Sequence, residues 1–146
     1  MPLLEVITVG IPFCVFKLLT GLWLWDGGAA ARAAGAVLVG LGAADLVINS
    51  ANLLSLLVVR RRVLEPCLFA MAAGALRPRS DPAWTWQDLG NSLDVLLAMS
   101  IVAYMIAVEA GQTFPEGRRH LWNACVILDV MGAGLTRFGG SLARLG

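Results

Sequence analysis

Charge is scarce in this sequence. Only 14% of its 146 residues are Asp, Glu, Lys or Arg, where a soluble domain carries about 25%. The net charge is +1, which offers no electrostatic footprint for nucleic acid. Histidine occurs once, as His120 in a basic loop. A lone imidazole builds neither a zinc nor a haem site without further ligands, so no metal and no cofactor is expected. The three cysteines, Cys14, Cys67 and Cys125, lie inside apolar runs and form no CxxC pair; thiols so placed act as small hydrophobes. There is no GxSxG elbow, P-loop or GxGxxG, which removes the common hydrolase and nucleotide signatures. The opening MPLLEVITVG has no basic n-region and carries Glu5, so the first apolar run is expected to remain in the mature protein.

What is present is apolar length. Hydrophobic residues make up 58% of the chain and the mean hydropathy is +0.76. Four runs reach the roughly 20 residues that cross a bilayer: Leu3 to Trp25, Ala33 to Val59, Leu89 to Ala110 and Leu121 to Leu142. A shorter run, Val63 to Leu76, reaches only about 21 Å as a helix, less than a hydrocarbon core. Pro66 suits its first turn. The fold expected is therefore all-α: a polytopic membrane helix bundle of four transmembrane helices plus one short re-entrant or interfacial helix, forming a single integral membrane domain over residues 1–146. Trp23, Trp25, Trp84 and Trp86 flank the runs, as interfacial aromatics do.

Ten of the eleven basic residues are Arg, which suggests a GC-rich, bacterial genome and an inner-membrane location. In the four-span layout, Arg60 to Arg62, Arg77 and Arg79 share one side with both termini, while Arg32, Arg118 and Arg119 lie on the other. The positive-inside rule then puts both termini in the cytoplasm.

Buried charges need partners, and helical rise suggests which. Lys17 and Asp129 lie at about the same depth, roughly 12 Å from the non-cytoplasmic side, and Asp94 and Arg137 match near the cytoplasmic side, at roughly 8 Å. Two acid–base pairs, Lys17 with Asp129 and Asp94 with Arg137, are expected. Asp45 is left with no base at its level. Asn49 and Asn52 follow it on the same helix face. A carboxylate at mid-membrane costs about 2.5–3.5 kcal/mol on insertion scales and marks a functional site by default; interhelical hydrogen bonding by Asp and Asn is the structural alternative. Ala36, Gly40 and Ala44, and likewise Gly132, Thr136 and Gly140, fall four apart and form faces on which helices approach closely.

Part of the chain resembles the signature of the CDP-alcohol phosphotransferases: Asp26-Gly27, Ala31-Arg32, Gly40, Asp45 and Asn49. The first Asp of that signature falls at Trp23, its last at Asn49, and two spacings are off by one, so the chain is not placed in that family. Three functions remain. The first is a non-enzymatic subunit or accessory factor of a membrane complex, a homo-oligomer or a companion of other membrane subunits. The second is a proton- or ion-coupled small transporter or channel component built on Asp45. The third is a metal-dependent lipid-modifying enzyme using Asp26 and Asp45.

Overall fold

The structure, a computed structural model, describes residues 2–78 and 83–142, with side chains left undescribed at 83, 84, 111 and 136–142. Among the described residues every regular element is helical. The first long helix, Pro2–Leu24, is built in three pieces: α1 (Pro2–Glu5), a π-helical turn (Val6–Gly10) and α2 (Ile11–Leu24). The wide turn stands directly before Pro12, which has no N–H to continue the ladder to the preceding turn. A short turn at Trp25 to Gly28 leads into α3 (Ala29–Val58), whose N-cap Gly28 is extended. The helix stops where Arg60 adopts the left-handed region, φ 57°. A link without regular structure runs to Cys67. Helix α4 (Leu68–Leu76) follows, then α5 (Ala83–Ala107), a 3-10 turn (Ala110–Gln112) and α6 (Glu116–Leu142).

Three described helices are long and apolar enough to cross a membrane: Pro2–Leu24, Ala29–Val58 and Thr85–Ala107. Four crossings were expected. Helix α6 has the length, with 27 residues or about 40 Å at helical rise, but Glu116, Arg118, Arg119 and His120 in its first turns and Asn123 and Asp129 beyond them dilute the apolar character of its described part. The short helix is also present, at nine residues. It begins five residues later than the apolar run suggests, because the backbone of Val63, Leu64 and Pro66 is held by side chains from α3.

The tightest seam joins α2 to α3. A Cβ on Gly21 would lie 2.8 Å from the Gly35 carbonyl oxygen, one on Gly35 would lie 2.6 Å from the Gly21 carbonyl oxygen, and one on Gly42 would lie 3.1 Å from the Cys14 carbonyl oxygen. Close packing between the first two long helices therefore runs along Gly21, Gly35 and Gly42. The face expected to pack, Ala36, Gly40 and Ala44, points away: Ala36 and Gly40 are exposed and Ala44 half-buried, and nothing lies within 4 Å of a Cβ added at Gly40. Gly132 does pack closely, with its added Cβ 2.8 Å from Val9. Thr136 and Gly140 lie outside the described side chains. Helix α5 meets α4 at Gly90, whose added Cβ would collide with the Phe69 backbone.

The interior divides into two halves. Toward the α2–α3 turn it is apolar: Phe16, Met105, Phe114, Trp122 and Cys125 form the core cluster. Within it, the Trp122 indole donates to Thr20 at 3.1 Å and the Trp23 indole to Thr113 at 2.7 Å. Toward the N-terminus it is polar, and that half carries the chemistry.

Candidate functional site

Lys17 is the centre of the polar half and is fully buried, at 0% exposure. Its ammonium donates to Asp45 Oδ2 at 2.6 Å and to Asp94 Oδ1, and it sits 4.3 Å from the centre of the Phe13 ring. Two charge-assisted hydrogen bonds and a cation–π contact use the three N–H directions of the ammonium. Asp45 and Asp94 are 1% and 2% exposed. One ammonium between two carboxylates leaves the cluster with an excess of one negative charge when all three groups are ionised.

This arrangement corrects the pairing expected from depth. Lys17 takes Asp45 and Asp94, not Asp129. Asp45 is paired, and Asp129 is the acid left over: Asp129 is buried and its Oδ1 has no hydrogen-bond partner among the described residues. Arg137 lies outside the described side chains; its expected partner Asp94 is engaged by Lys17. The reason lies in side-chain direction. The Cβ of Lys17 is opposite Gly42 on α3, nearly one turn from Asp45. Side chains lean toward the N-terminus of their own helix, so in an antiparallel pair Lys17 and Asp45 lean toward each other. A lysine stem of about 6 Å then closes the gap.

Asp45 makes a second contact across the bundle. Its Oδ1 accepts the Leu68 backbone N–H at 2.7 Å, at the first turn of α4, where helices leave N–H groups without internal partners. The rest of the α3 polar face holds the link before α4. Asn49 donates to the Pro66 carbonyl at 3.0 Å and to its own Asp45 carbonyl at 2.9 Å. Asn52 donates to the Leu64 carbonyl at 3.1 Å and accepts the Val63 and Leu64 N–H groups at 3.3 and 3.0 Å. Ser55 adds a bond to the Arg61 carbonyl at 2.7 Å. Buried backbone polar groups away from water need partners. The stripe Asp45, Asn49 and Asn52 supplies them.

A cleft of about 230 Å³ leads to this cluster. Glu5, Arg62 and Asn91 stand at its partly exposed rim, and Asp45 and Asp94 at its buried floor. Arg62 donates to Glu5 at 2.8 Å and to the Pro2 carbonyl at 3.3 Å. The π-helical turn supplies Val6, Val9 and Gly10 to one wall, and Cys67 stands on another. Burial pushes the Cys67 thiol up to about 12, so it faces the site as S–H.

Sequence reasoning found Lys17, Asp45, Asn49, Asn52 and Asp94 and gave some of them the wrong partners. It missed Phe13, Cys67 and the Glu5–Arg62 rim. The Pro66–Cys67 pair, breaking the apolar run ahead of a short helix, was the signal that α3 must satisfy that backbone. Asp26, the other acid of the partial phosphotransferase signature, is exposed while Asp45 is committed to Lys17 and Leu68. Among the described residues, no three His, Cys, Asp or Glu side chains gather in a way that holds a metal ion. No family profile, curated protein or solved structure matches the chain.

Proposed function

We propose that this chain is a small proton- or cation-coupled membrane transport component, with Asp45 and Asp94 as its buried acids and Lys17 as the internal cation they share. One observation carries the reading: a polar cleft ends on two buried carboxylates that divide a single ammonium. Ionisable groups inside a membrane protein are expensive and mark ion or proton pathways. Here the acids outnumber the base, so uptake of a proton or small cation neutralises the cluster, and its release restores the charge. In this reading α6 provides the fourth crossing, the cleft opens on the cytoplasmic side of a bacterial inner membrane, and both termini lie on that side.

The test is flux in reconstituted vesicles containing a pH-sensitive dye. Wild-type protein is expected to dissipate an imposed proton or cation gradient. Asp45→Asn and Asp94→Asn are expected to abolish that flux while circular dichroism shows the helices intact. Normal flux in both folded variants would sink the proposal.

A second reading has its own support. Every contact of the α3 polar stripe described above is also explained by folding, since those groups hold the link and the start of α4. On that basis the chain is a non-enzymatic subunit or accessory of a larger membrane complex, and the outward face Ala36, Gly40 and Ala44 is available to a second membrane helix. Native-membrane crosslinking from Gly40→Cys separates the two: a reproducible adduct together with no flux favours the subunit.

A further inference from the structure

Asp129 is a carboxyl group that the Lys17 cluster does not use. It is 8% exposed, and among the described residues its Oδ1 has no hydrogen-bond partner. It faces a second cavity, of about 30 Å³, walled by Phe13, Phe16, Ala98, Val102 and Val126. That volume is large enough to hold a water. Phe13 also lines the larger cleft, so it borders both spaces. The same ring lies against the Lys17 ammonium.

Resting on the transport reading, we propose that Asp129 is the inner proton site of a two-chamber path, with Phe13 as the partition between it and the Lys17–Asp45–Asp94 cleft. The chemistry of the inner chamber selects the ligand. Alkali and divalent cations need several oxygen ligands at once, and this cavity offers one carboxyl group among apolar walls. A proton needs a single oxygen. In the step, an O–H bond forms on the Asp129 carboxylate, and the proton comes from water in the cleft, whose loss the bulk buffer makes good. The charged group that acts on Asp129 from α2 is Lys17; α5 contributes apolar Ala98, Met99 and Val102, and α6 itself carries the buried Cys125 thiol, which Asp129 acts on. Protonation of Asp129 removes its attraction for Lys17, and deprotonation restores it, so the charge of the inner chamber is coupled to the cluster at the floor of the cleft.

Infrared difference spectroscopy of the purified full chain in lipid nanodiscs tests this directly. Spectra taken between about pH 5 and about pH 9 are expected to show a titrating band of a protonated carboxylic acid that shifts in D2O. Asp129→Asn is expected to remove a component of that band that Asp45→Asn and Asp94→Asn leave in place, and Asp129→Glu, which keeps the acid, to move that component. Phe13→Ala is expected to speed its deuterium exchange about tenfold, the effect of a modest drop in a kinetic barrier. A band that survives unchanged in Asp129→Asn, or no titrating band at all, overturns the inference. So does an exchange rate indifferent to Phe13→Ala, because the partition is then elsewhere. Vesicle flux is read separately: absent flux with a titrating Asp129 band removes transport and leaves the proton site standing, whereas working flux without the band removes only Asp129.

Discussion

Asp45 binds Lys17 with one carboxylate oxygen and the Leu68 backbone N–H with the other, at 2.6 and 2.7 Å. One side chain on α3 thus ties α2 to the start of α4, and through Lys17 reaches Asp94 on α5. The stability of the polar half and its charge are one problem.

Removing the base should expose that coupling. Lys17→Met leaves two buried carboxylates without a cation and is expected to cost about 3–5 kcal/mol. The triple change Lys17→Met with Asp45→Asn and Asp94→Asn leaves no buried charge and is expected to recover most of the loss. Thermal unfolding in detergent measures both. A triple variant no more stable than the single one would show that the charges are not what the lysine answers.

The link before α4 should open when Asn52 is lost. Asn52→Ala strips one donor and one shared acceptor from the backbone of Val63 and Leu64, at about 1–3 kcal/mol for buried groups left unpaired. Trypsin is expected to cut at Arg60 to Arg62 several-fold faster than in the wild type, with little change in total helix content. An unchanged cleavage rate would place the rigidity of this link elsewhere.

Glycines in the α2–α3 seam and the glycine turned away from it should respond in opposite directions. Gly21→Ala and Gly35→Ala press a methyl group into facing backbone and are expected to cost about 1–3 kcal/mol as overpacked sites. Gly40→Ala meets open space and is expected to be neutral or to stabilise by up to about 1 kcal/mol through helix propensity. Unfolding midpoints decide the order. A destabilising Gly40→Ala would mean that a second chain covers that face.

Thiol chemistry gives a pH test. Burial is the largest cause that raises the Cys67 thiol to about 12, and the thiolate is the form that alkylates. Below that value the group is protonated, so maleimide labelling is expected to be slow at neutral pH and to climb as the pH rises toward 12. Peptide mass spectrometry separates Cys67 from Cys14 and Cys125. Rapid labelling at neutral pH would mean that the wall of the cleft opens.

The sequence was legible where the physics is local. Apolar run lengths located the long helices to within a few residues at most ends, and a run too short to cross marked α4. The polar members were legible too, since Lys17, Asp45, Asn49, Asn52 and Asp94 stand out against an apolar background. Partner choice was not. Counting backbone rise placed Lys17 level with Asp129, but a lysine stem and the lean of opposed side chains cover nearly a turn of helix, which is larger than the depth difference being judged. The small-residue faces failed for a related reason. Ala36, Gly40 and Ala44 have the right spacing, yet Gly35 and Gly42, one and two positions away from members of that set, face α2. A four-residue repeat identifies a surface on which helices can approach, and the rotation of the helix decides which such surface is turned inward.

The close seam between α2 and α3 bears on how the protein is made. Lys17 meets Asp45 inside the first helical hairpin, all of which has been synthesised once Val58 leaves the ribosome. A hairpin carrying its own counter-charge can enter the bilayer as a unit, without waiting for Asp94. The later helices then dock onto a neutralised core, and the order of synthesis spares the nascent chain an unpaired lysine in lipid.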